Sequence, residues 1–247
     1  MKLERKKFWD LQVVNTDEKS WFLWLQMHLT RKKSPTQIIM TPNPEQLVQA
    51  RGDEKFHVAL RQADILLPDG NGLVWAAKLK GRLTGADTVV ELLKLAKRNH
   101  QRVLLIGGRY RSDEKGMLKV KIPGLQTEIY YTQGYQMVAE MSNSETKDIE
   151  ALIREIKPTV VLVALGAPWQ EKWLMMEKEI LANNKVKVAM AVGGSFDFLF
   201  ERVKRAPVKW QRWQLEWLWR LLHEPWRWRR QLRLPRFIIL TLANCWQ

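Results

Sequence analysis

The sequence of 247 residues has little of what metal sites and membrane spans require. It contains one cysteine, Cys245, which excludes an internal disulfide and a thiolate cluster. The four histidines are scattered and do not have the spacing of metal ligands. A single cysteine fits a reducing compartment such as the cytosol. No apolar run approaches the roughly 20 residues of a membrane-spanning helix, and no apolar segment of a secretory signal follows the basic N-terminus. We therefore expect no signal peptide and no membrane span.

Three nucleotide- and metal-binding motifs are missing as well. No Gly-x-Gly-x-x-Gly follows the first predicted strand, which disfavours a dinucleotide-dependent dehydrogenase, and no Gly-x-x-x-x-Gly-Lys-Ser/Thr indicates a P-loop enzyme. Asp-x-Asp, which could hold a divalent ion against a nucleotide diphosphate, is also absent. We therefore expect metal-independent chemistry without any other cofactor. If a diphosphate leaves in such a reaction, arginines and backbone dipoles would have to stabilise its negative charge.

Positive charge, by contrast, is abundant, and the formal net charge is +15. Residues 200–247 contain eleven Lys and Arg against three Glu, a net charge of +8, together with seven of the 13 tryptophans. Cationic residues mixed with interfacial aromatics favour a surface that is anionic and partly apolar, such as a membrane rich in acidic lipids. Nucleic acid also fits the charge, but no recognisable nucleic-acid motif accompanies it, so we expect no nucleic-acid partner.

Short runs of Val, Ile and Leu alternate with segments of helical spacing. The runs predict strands over residues 37–40, 63–67, 102–106, 159–165 and 186–192, and helices over 45–61, 88–99, 149–156 and 170–183. Continuous apolar strands separated by helices are typical of a parallel sheet covered on both faces. We therefore predict an α/β fold with a Rossmann-like, mostly parallel sheet and helices on both faces. In such sheets ligands bind at the carboxyl ends of the strands.

The pattern changes near residue 200 and divides the chain into an α/β domain, residues 1–199, and a basic, tryptophan-rich C-terminal appendage, residues 200–247. The appendage has the spacing of two or three short amphipathic helices. Trp210, Trp213 and Trp217 share one helical face, which fits a packed core as well as a membrane anchor. The stretch 226–233 contains two tryptophans and four arginines, and it favours the interface.

Polar side chains follow the first two predicted strands. Asp69 lies in Pro68-Asp69-Gly70, which is either an ordinary Asp-Gly turn or the place of a general base held beside a bound hydroxyl. Thr41 and Asn43 come between prolines after the strand at 37–40. Either residue could cap the helix that follows, or both could form a rigid sugar-binding corner, since hydroxyl-rich ligands need neutral donors and acceptors.

Two later strand exits carry further candidates. Pro168 and Glu171 fit the first turn of a helix and its dipole, whereas Gln170 between them has no evident local partner. Gly193 and Gly194 form a turn whose free backbone N–H groups could receive a diphosphate. Paired glycines also occur in plain turns, so the turn alone predicts little.

Taken together and in order, these segments resemble the WecG/TagA/CpsF family of bacterial glycosyltransferases, glycosyltransferase family 26. The matching runs extend over roughly residues 38–237. They are Thr-Pro-Asn-Pro-Glu (41–45), Leu-Pro-Asp-Gly-Asn-Gly (67–72), Thr-Gly-Ala-Asp (84–87), Leu-Leu-Ile-Gly-Gly (104–108), Gly-Ala-Pro-Trp-Gln-Glu-Lys-Trp (166–173), Gly-Gly-Ser-Phe-Asp-Phe (193–198) and Val-Lys-Arg-Ala-Pro (203–207).

The resemblance implies inverting transfer of an N-acetylmannosamine-type sugar from a UDP-sugar donor to undecaprenyl-diphosphate-linked N-acetylglucosamine, in cell-wall or surface-polysaccharide synthesis. It implies a cytoplasmic enzyme that is peripheral at the inner face of the bacterial membrane. Asp69 is then the base that deprotonates the acceptor hydroxyl. The appendage would dock on the membrane and close over the active site, with Arg212, Arg220 or Arg227 reaching the diphosphate. The substrate site is assigned to Thr41, Asn43, Asn71, Arg82, Gln170, Gly193 and Gly194.

Alternatives remain at this stage. A non-catalytic module that binds membranes or nucleic acid would explain the charge, but it gives the polar strand exits no role. The same chemistry with another UDP-hexose, or a sugar-nucleotide-modifying enzyme, would use a similar cleft. A homo-oligomer and a membrane-active monomer are both compatible with the sequence.

Overall fold

The computed structural model describes residues 1–108, 118–122, 125–196, 206–207, 209–210, 216–223, 228 and 232–244. Nine strands in these ranges form one sheet in the order β1-β2-β4-β3-β9-β8-β5-β7-β6. The strands are β1 Arg5–Phe8, β2 Leu11–Val14, β3 Gln37–Met40, β4 Ile65–Leu66, β5 Val103–Gly107, β6 Leu118–Ile122, β7 Leu125–Thr132, β8 Val160–Ala164 and β9 Val188–Ala191. Strands β2 to β7 in this order run parallel, and β1 and β6 pair antiparallel at the two edges.

Helices cover both faces of this sheet, which confirms the predicted α/β, mostly parallel fold. Those in the described ranges are α1 Glu18–Thr30, α2 Pro44–Ala50, α3 Glu54–Gln62, α4 Asn71–Ala76, α5 Gly85–Arg98, α6 Asn143–Ile156, α7 Trp169–Met176, α8 Lys178–Asn183, α9 Glu216–His223 and α10 Arg233–Asn244. Five of these ten helices begin where the sequence supplies a side-chain cap. Asp17, Asn43, Asp53, Thr84 and Ser142 each accept a backbone N–H of the first turn, which satisfies one of its orphan donors.

Side chains of each inner strand alternate between two apolar clusters, as the period of two in a strand requires. In β8, Val161 and Val163 pack in the cluster that contains buried residues of α2, α3, α6, α7 and α8. Val160 and Leu162 pack in the other cluster, with α1 and α5. We refer to these as the first and second faces. Burial of strands on both sides explains why their sequences are continuous runs of apolar residues.

Two helices predicted as continuous are interrupted. The segment 45–61 forms α2 and α3, separated at 51–53, because Asp53 accepts the N–H of Phe56 at 3.0 Å and starts a new helix. The segment 170–183 forms α7 and α8, with a single residue, Glu177, between them. Its N–H still donates to the carbonyl of Trp173, so the interruption is slight.

Elements in the first 36 residues were not assigned from the sequence. Strands β1 and β2 form a hairpin around Trp9 and Asp10, and Trp9 has φ +51°. Helix α1 then covers the second face with Trp21 and Leu25, which are fully buried. Strand β2 pairs with β4, so this N-terminal part extends the sheet beyond the predicted strands.

The C-terminal helix α10 packs against the α/β body. Phe237 is 4% exposed, and its ring centroid lies 6.0 Å from that of Phe8 and 5.7 Å from that of Trp9. Arg233 donates to Oε1 of Gln49 in α2 at 2.8 Å. One turn of the appendage is thus anchored in the first face. In the described part of the chain, no helix combines the length and the apolar character that crossing a membrane demands.

Candidate active site

Strands β3 and β4 are parallel neighbours whose outgoing segments meet at the carboxyl edge of the sheet. The chain leaves β3 towards α2 and leaves β4 through the short α4, both on the first face, before α5 covers the second face. We call the region at this edge, bordered by the two outgoing segments and the start of α5, the crevice. Open α/β sheets bind ligands at such a place. Thr41 and Asn43 leave β3 here, and Asp69 and Asn71 leave β4, so the structure brings these four assigned residues to one crevice.

Asn43 has a structural task at this crevice. Its Oδ1 accepts the backbone N–H of Gln46 at 2.9 Å, and Oε1 of Gln46 accepts the N–H of Asn43 at 3.0 Å, which forms a capping box for α2. Of the two cap candidates, Asn43 rather than Thr41 therefore caps the helix. Pro44 occupies the first helical position, where an N–H is dispensable. With its Oδ1 engaged, Asn43 offers a ligand chiefly the Nδ2 donor.

The loop that carries Asp69 packs directly on this corner. Gly70 has φ +98°, and a Cβ at that position would lie 3.2 Å from Cδ of Pro44 and 3.8 Å from Cβ of Asn43. A side chain would strain the backbone and push the two loops apart, so glycine is required. The N–H of Leu67 donates to the carbonyl of Met40 at 2.9 Å, which keeps the loops side by side as they leave the sheet. Asp69 is thereby held, partly buried, beside the Asn43 corner.

The first turn of α5 borders the crevice from the second face. Thr84 accepts the N–H of Asp87 at 3.0 Å and donates to the carboxylate of the same residue, which fixes the start of the helix. A Cβ at Gly85 would lie 3.3 Å from Oγ1 of Thr41. The small residue thus lets the helix start approach the Thr41 hydroxyl closely.

Of the four arginine candidates, Arg82 is the one whose side chain lies in the described part of the chain. Arg82 is partly buried and precedes Leu83, whose N–H donates to the carbonyl of Pro68 at 3.1 Å. This hydrogen bond brings the Arg82 segment next to the loop that carries Asp69. The three arginines of the appendage cannot be placed in the same way, since Arg212 and Arg227 lie outside the described residues and Arg220 is in α9 with a side chain that is not described.

Gln170 and Gly193 connect the exits of β8 and β9, beside the Thr41 end of the crevice. Oε1 of Gln170 accepts the N–H of Gly193 at 3.0 Å, and its Nε2 donates to Oε1 of Glu171 at 2.8 Å. The expectation that free N–H groups of both glycines receive a diphosphate is therefore wrong for Gly193, whose N–H is already used. Gly194 is exposed and keeps that role as a prediction.

Glu171 is the residue whose importance the sequence interpretation missed. It was assigned to the helix dipole, but its side chain is buried, and Oε2 has no hydrogen-bond partner among the residues that the structure describes. Burial raises the pKa of the Glu171 carboxyl to about 7, although the hydrogen bond from Gln170 works in the opposite direction. An acidic residue in a first helical turn is so common that its spacing gave no signal of a buried carboxyl.

The described residues contain no group of three or more His, Cys, Asp or Glu side chains that could hold a metal ion. The polar groups collected at the crevice are instead one hydroxyl, side-chain amides, a carboxylate and an arginine segment. Neutral amides and hydroxyls match the hydrogen-bonding capacity of a sugar, and a carboxylate among them can accept a proton.

Comparison with known proteins identifies one matching family and several relatives. The family model described as "Glycosyl transferase WecG/TagA/CpsF family" matches residues 6–247. A protein of Bacillus subtilis (strain 168) is 30% identical over 243 residues, covering 95% of this chain and 90% of its own. One of Bacillus spizizenii is 34% identical, covering 83% and 79%, and one of Staphylococcus aureus is 29% identical, covering 79% and 74%.

All three relatives have the same name, N-acetylglucosaminyldiphosphoundecaprenol N-acetyl-beta-D-mannosaminyltransferase. The family match covers the hairpin, the whole sheet and the appendage, so it does not depend on a shared nucleotide-binding core alone. The protein therefore belongs to the WecG/TagA/CpsF family and is a glycosyltransferase.

Proposed function

We propose that this enzyme transfers N-acetylmannosamine from UDP to undecaprenyl-diphosphate-linked N-acetylglucosamine, with inversion at the anomeric carbon. The observation that carries the proposal is the crevice at the ends of β3 and β4, where the partly buried Asp69 precedes Gly70, which packs on the Asn43–Pro44 corner, and where the Thr41 hydroxyl borders the start of α5. The names of the three relatives support the acceptor and the sugar. Because the chain is a glycosyltransferase, a purely binding, non-catalytic role is set aside.

The proposed reaction is a single displacement. Asp69 takes the proton of the acceptor hydroxyl as its oxygen attacks the anomeric carbon, and UDP leaves from the opposite face with the bonding electron pair. Negative charge then grows on the departing diphosphate. Donors that could stabilise this charge without a metal ion are Gly194, Arg82 and the appendage residues Arg212, Arg220 and Arg227. Thr41, Asn43, Asn71 and Gln170 complete the proposed substrate site.

The test is UDP release by the full-length chain from UDP-N-acetylmannosamine in EDTA, with and without a short-chain lipid-diphosphate-linked N-acetylglucosamine. We expect release that requires the acceptor, is unaffected by EDTA and yields the anomer of inverted configuration by NMR. Release that depends on added Mg²⁺ would overturn the metal-independent mechanism. Turnover of another UDP-hexose alone would overturn the donor, and release without acceptor would indicate a sugar-nucleotide-modifying enzyme.

We further propose that the appendage, residues 200–247, holds the catalytic body, residues 1–199, against the anionic inner face of the cell membrane. Helix α10 buries Phe237 but leaves a face of Ile238, Ile239 and Leu242 exposed, with Ile239 65% exposed. The appendage also carries a net charge of +8. Apolar side chains with neighbouring cations are the combination that binds acidic lipid surfaces. Because the proposed acceptor is linked to a lipid, binding of the enzyme to the membrane would bring it to its substrate.

Vesicle binding should depend on this exposed face. In the double variant Ile238→Gln/Ile239→Gln, we expect the concentration of anionic vesicles needed for half-saturation to rise about a hundredfold or more, since burying such side chains in an apolar phase contributes about 1.5–3 kcal/mol each. Co-sedimentation with phosphatidylglycerol-containing vesicles measures the shift. Leu23→Gln is the matched control, because Leu23 is an exposed apolar residue of α1. Equal binding by both variants would contradict the assignment.

A further inference from the structure

A relay of three residues, Glu171–Gln170–Gly193, joins the exits of β8 and β9. The primary amide of Gln170 has a donor end and an acceptor end of nearly equal shape, so packing alone does not choose between its two orientations. Oε1 of Glu171 can only accept from Gln170, which turns Nε2 towards Glu171. Oε1 of Gln170 is then the atom that meets the N–H of Gly193. The carboxyl group thus determines which end of the amide faces the glycine turn.

A glutamate at position 171 is energetically unfavourable if its side chain only fills space in the core. Both Gln170 and Glu171 are 2% exposed, and within the described part of the chain Oε2 of Glu171 has no hydrogen-bond partner. A buried carboxyl without full hydrogen bonding is less favourable than an apolar side chain of similar volume. What an apolar residue could not supply is the acceptor for Gln170. The position of this acceptor, one residue after Gln170 and beside the site, indicates a functional reason for it.

No charged neighbour explains the carboxyl. Burial is the largest cause of its raised pKa, and no charge among the described residues contributes. The strands that pack against α7, namely β3, β8 and β9, carry no ionisable side chain. Lys172 of α7 pairs with Asp53, and Lys178 of α8 pairs with Asp64. The remaining ionisable groups on the packed helices are Glu54, Lys55, His57 and Arg61 of α3, Glu179 of α8, and Glu177 between α7 and α8.

We propose that Glu171 is a positioning residue, which orients the Gln170 amide and through it the Gly193–Gly194 turn that receives the diphosphate of the donor. The proposal deepens the proposed function and rests on it for the identity of the ligand. Below its pKa of about 7 Glu171 is the neutral acid, and we assign its acidic proton to Oε2 because Oε1 accepts from Gln170. Ionisation would place an unpaired charge in an apolar site, and the relay would have to rearrange or admit water.

Kinetics of two substitutions test the assignment. Glu171→Leu keeps the volume but removes the acceptor, and we expect the KM for the UDP-sugar to rise about tenfold, the equivalent of one lost hydrogen bond in a polar site, with a smaller change in kcat. Glu171→Gln retains an acceptor and should restore the KM at pH 6.5. In the wild type the KM should increase above about pH 7, whereas in Glu171→Gln it should not vary there. Glu177→Gln is the matched control, because Glu177 is also buried with a raised pKa but lies at the far end of α7.

Hydrogen exchange tests the relay without any substrate, so it separates this proposal from the proposed function. We expect the amide of Gly193 to exchange faster in Glu171→Leu and to keep its protection in Glu171→Gln and Glu177→Gln. Unchanged exchange and unchanged KM in a folded Glu171→Leu protein would overturn the proposal. If that variant does not fold, the pH profile of Glu171→Gln decides, and a KM that still rises above pH 7 overturns it. Inactivity of the wild type with every donor would refute the proposed function while the exchange result stands.

Discussion

Asp69→Asn is expected to lower kcat for acceptor-dependent UDP release by about 10²–10⁴-fold, the range that general-base assistance contributes. Asparagine preserves the shape of the side chain but cannot take the proton. The loop itself should stay in place, because Gly70 packs on Pro44 and the N–H of Leu67 donates to Met40, two contacts that do not involve the side chain at position 69. The melting temperature and the KM for the donor should therefore change little, so that the loss appears in kcat.

Asp148→Asn provides the control for Asp69→Asn. Asp148 lies on the exposed side of α6, and its replacement should leave both kcat and KM unchanged. Single-turnover measurements with saturating donor would show whether the loss is in the chemical step. An Asp69→Asn protein that retains the wild-type kcat would place the base elsewhere in the crevice and contradict the mechanism.

Phe237→Ala should have the largest effect on stability, a loss of about 3–5 kcal/mol, as is typical when a buried phenylalanine is truncated. The ring fills the space between the β1–β2 hairpin and α4, where a Cβ at Gly72 would lie 3.9 Å from its Cε1. We expect its removal to loosen the packing of α10 on the hairpin and on α4, although the Arg233–Gln49 hydrogen bond to α2 does not involve the ring. We therefore also expect acceptor-dependent turnover on vesicles to fall, since the helix that we propose to bind the membrane would be held less firmly against the crevice.

Denaturant unfolding and limited proteolysis measure this effect. Ile239→Ala is the paired control on the same helix: its side chain is exposed, so the free energy of unfolding should hardly change. A Phe237→Ala protein with wild-type stability and normal protease resistance near residue 233 would show that α10 is not anchored by this ring.

The sheet was predictable from the sequence because its strands are buried on both faces. Residues 160–165 and 188–192, within the predicted strands 159–165 and 186–192, are continuous in apolar residues, and the structure has β8 and β9 there. The hairpin at the N-terminus gave no such signal, because β1 lies at an edge and reads Arg-Lys-Lys-Phe. The break between α2 and α3 depends on the cap at Asp53, which competes with helix continuation at a single position.

The location of the candidate site was predictable for residues that directly follow a strand, because the carboxyl ends of parallel strands lie at one edge of the sheet. The meeting of the Thr41, Asn43 and Asp69 segments follows from that rule together with the pairing of β3 and β4. What each side chain bonds to was not predictable. That Asn43 caps α2, that Gly193 donates to Gln170 and that Glu171 is buried all depend on how α2 and α7 are rotated against the sheet.

The two edge strands of the described sheet, β1 and β6, are rich in lysine and arginine in their sequences. A strand of a second molecule could extend the sheet only by pairing with one of these edges. At one edge β1 contains Arg5, Lys6 and Lys7 in succession, and at the other the sequence of β6 includes Lys119 and Lys121. Like charges on an outer strand oppose pairing with the same strand of a second copy. If the enzyme gathers on a lipid surface, as proposed above, crowding would bring copies together edge to edge, an arrangement that favours strand addition. The charged edges of the described sheet would then oppose polymerisation of the enzyme through its strands.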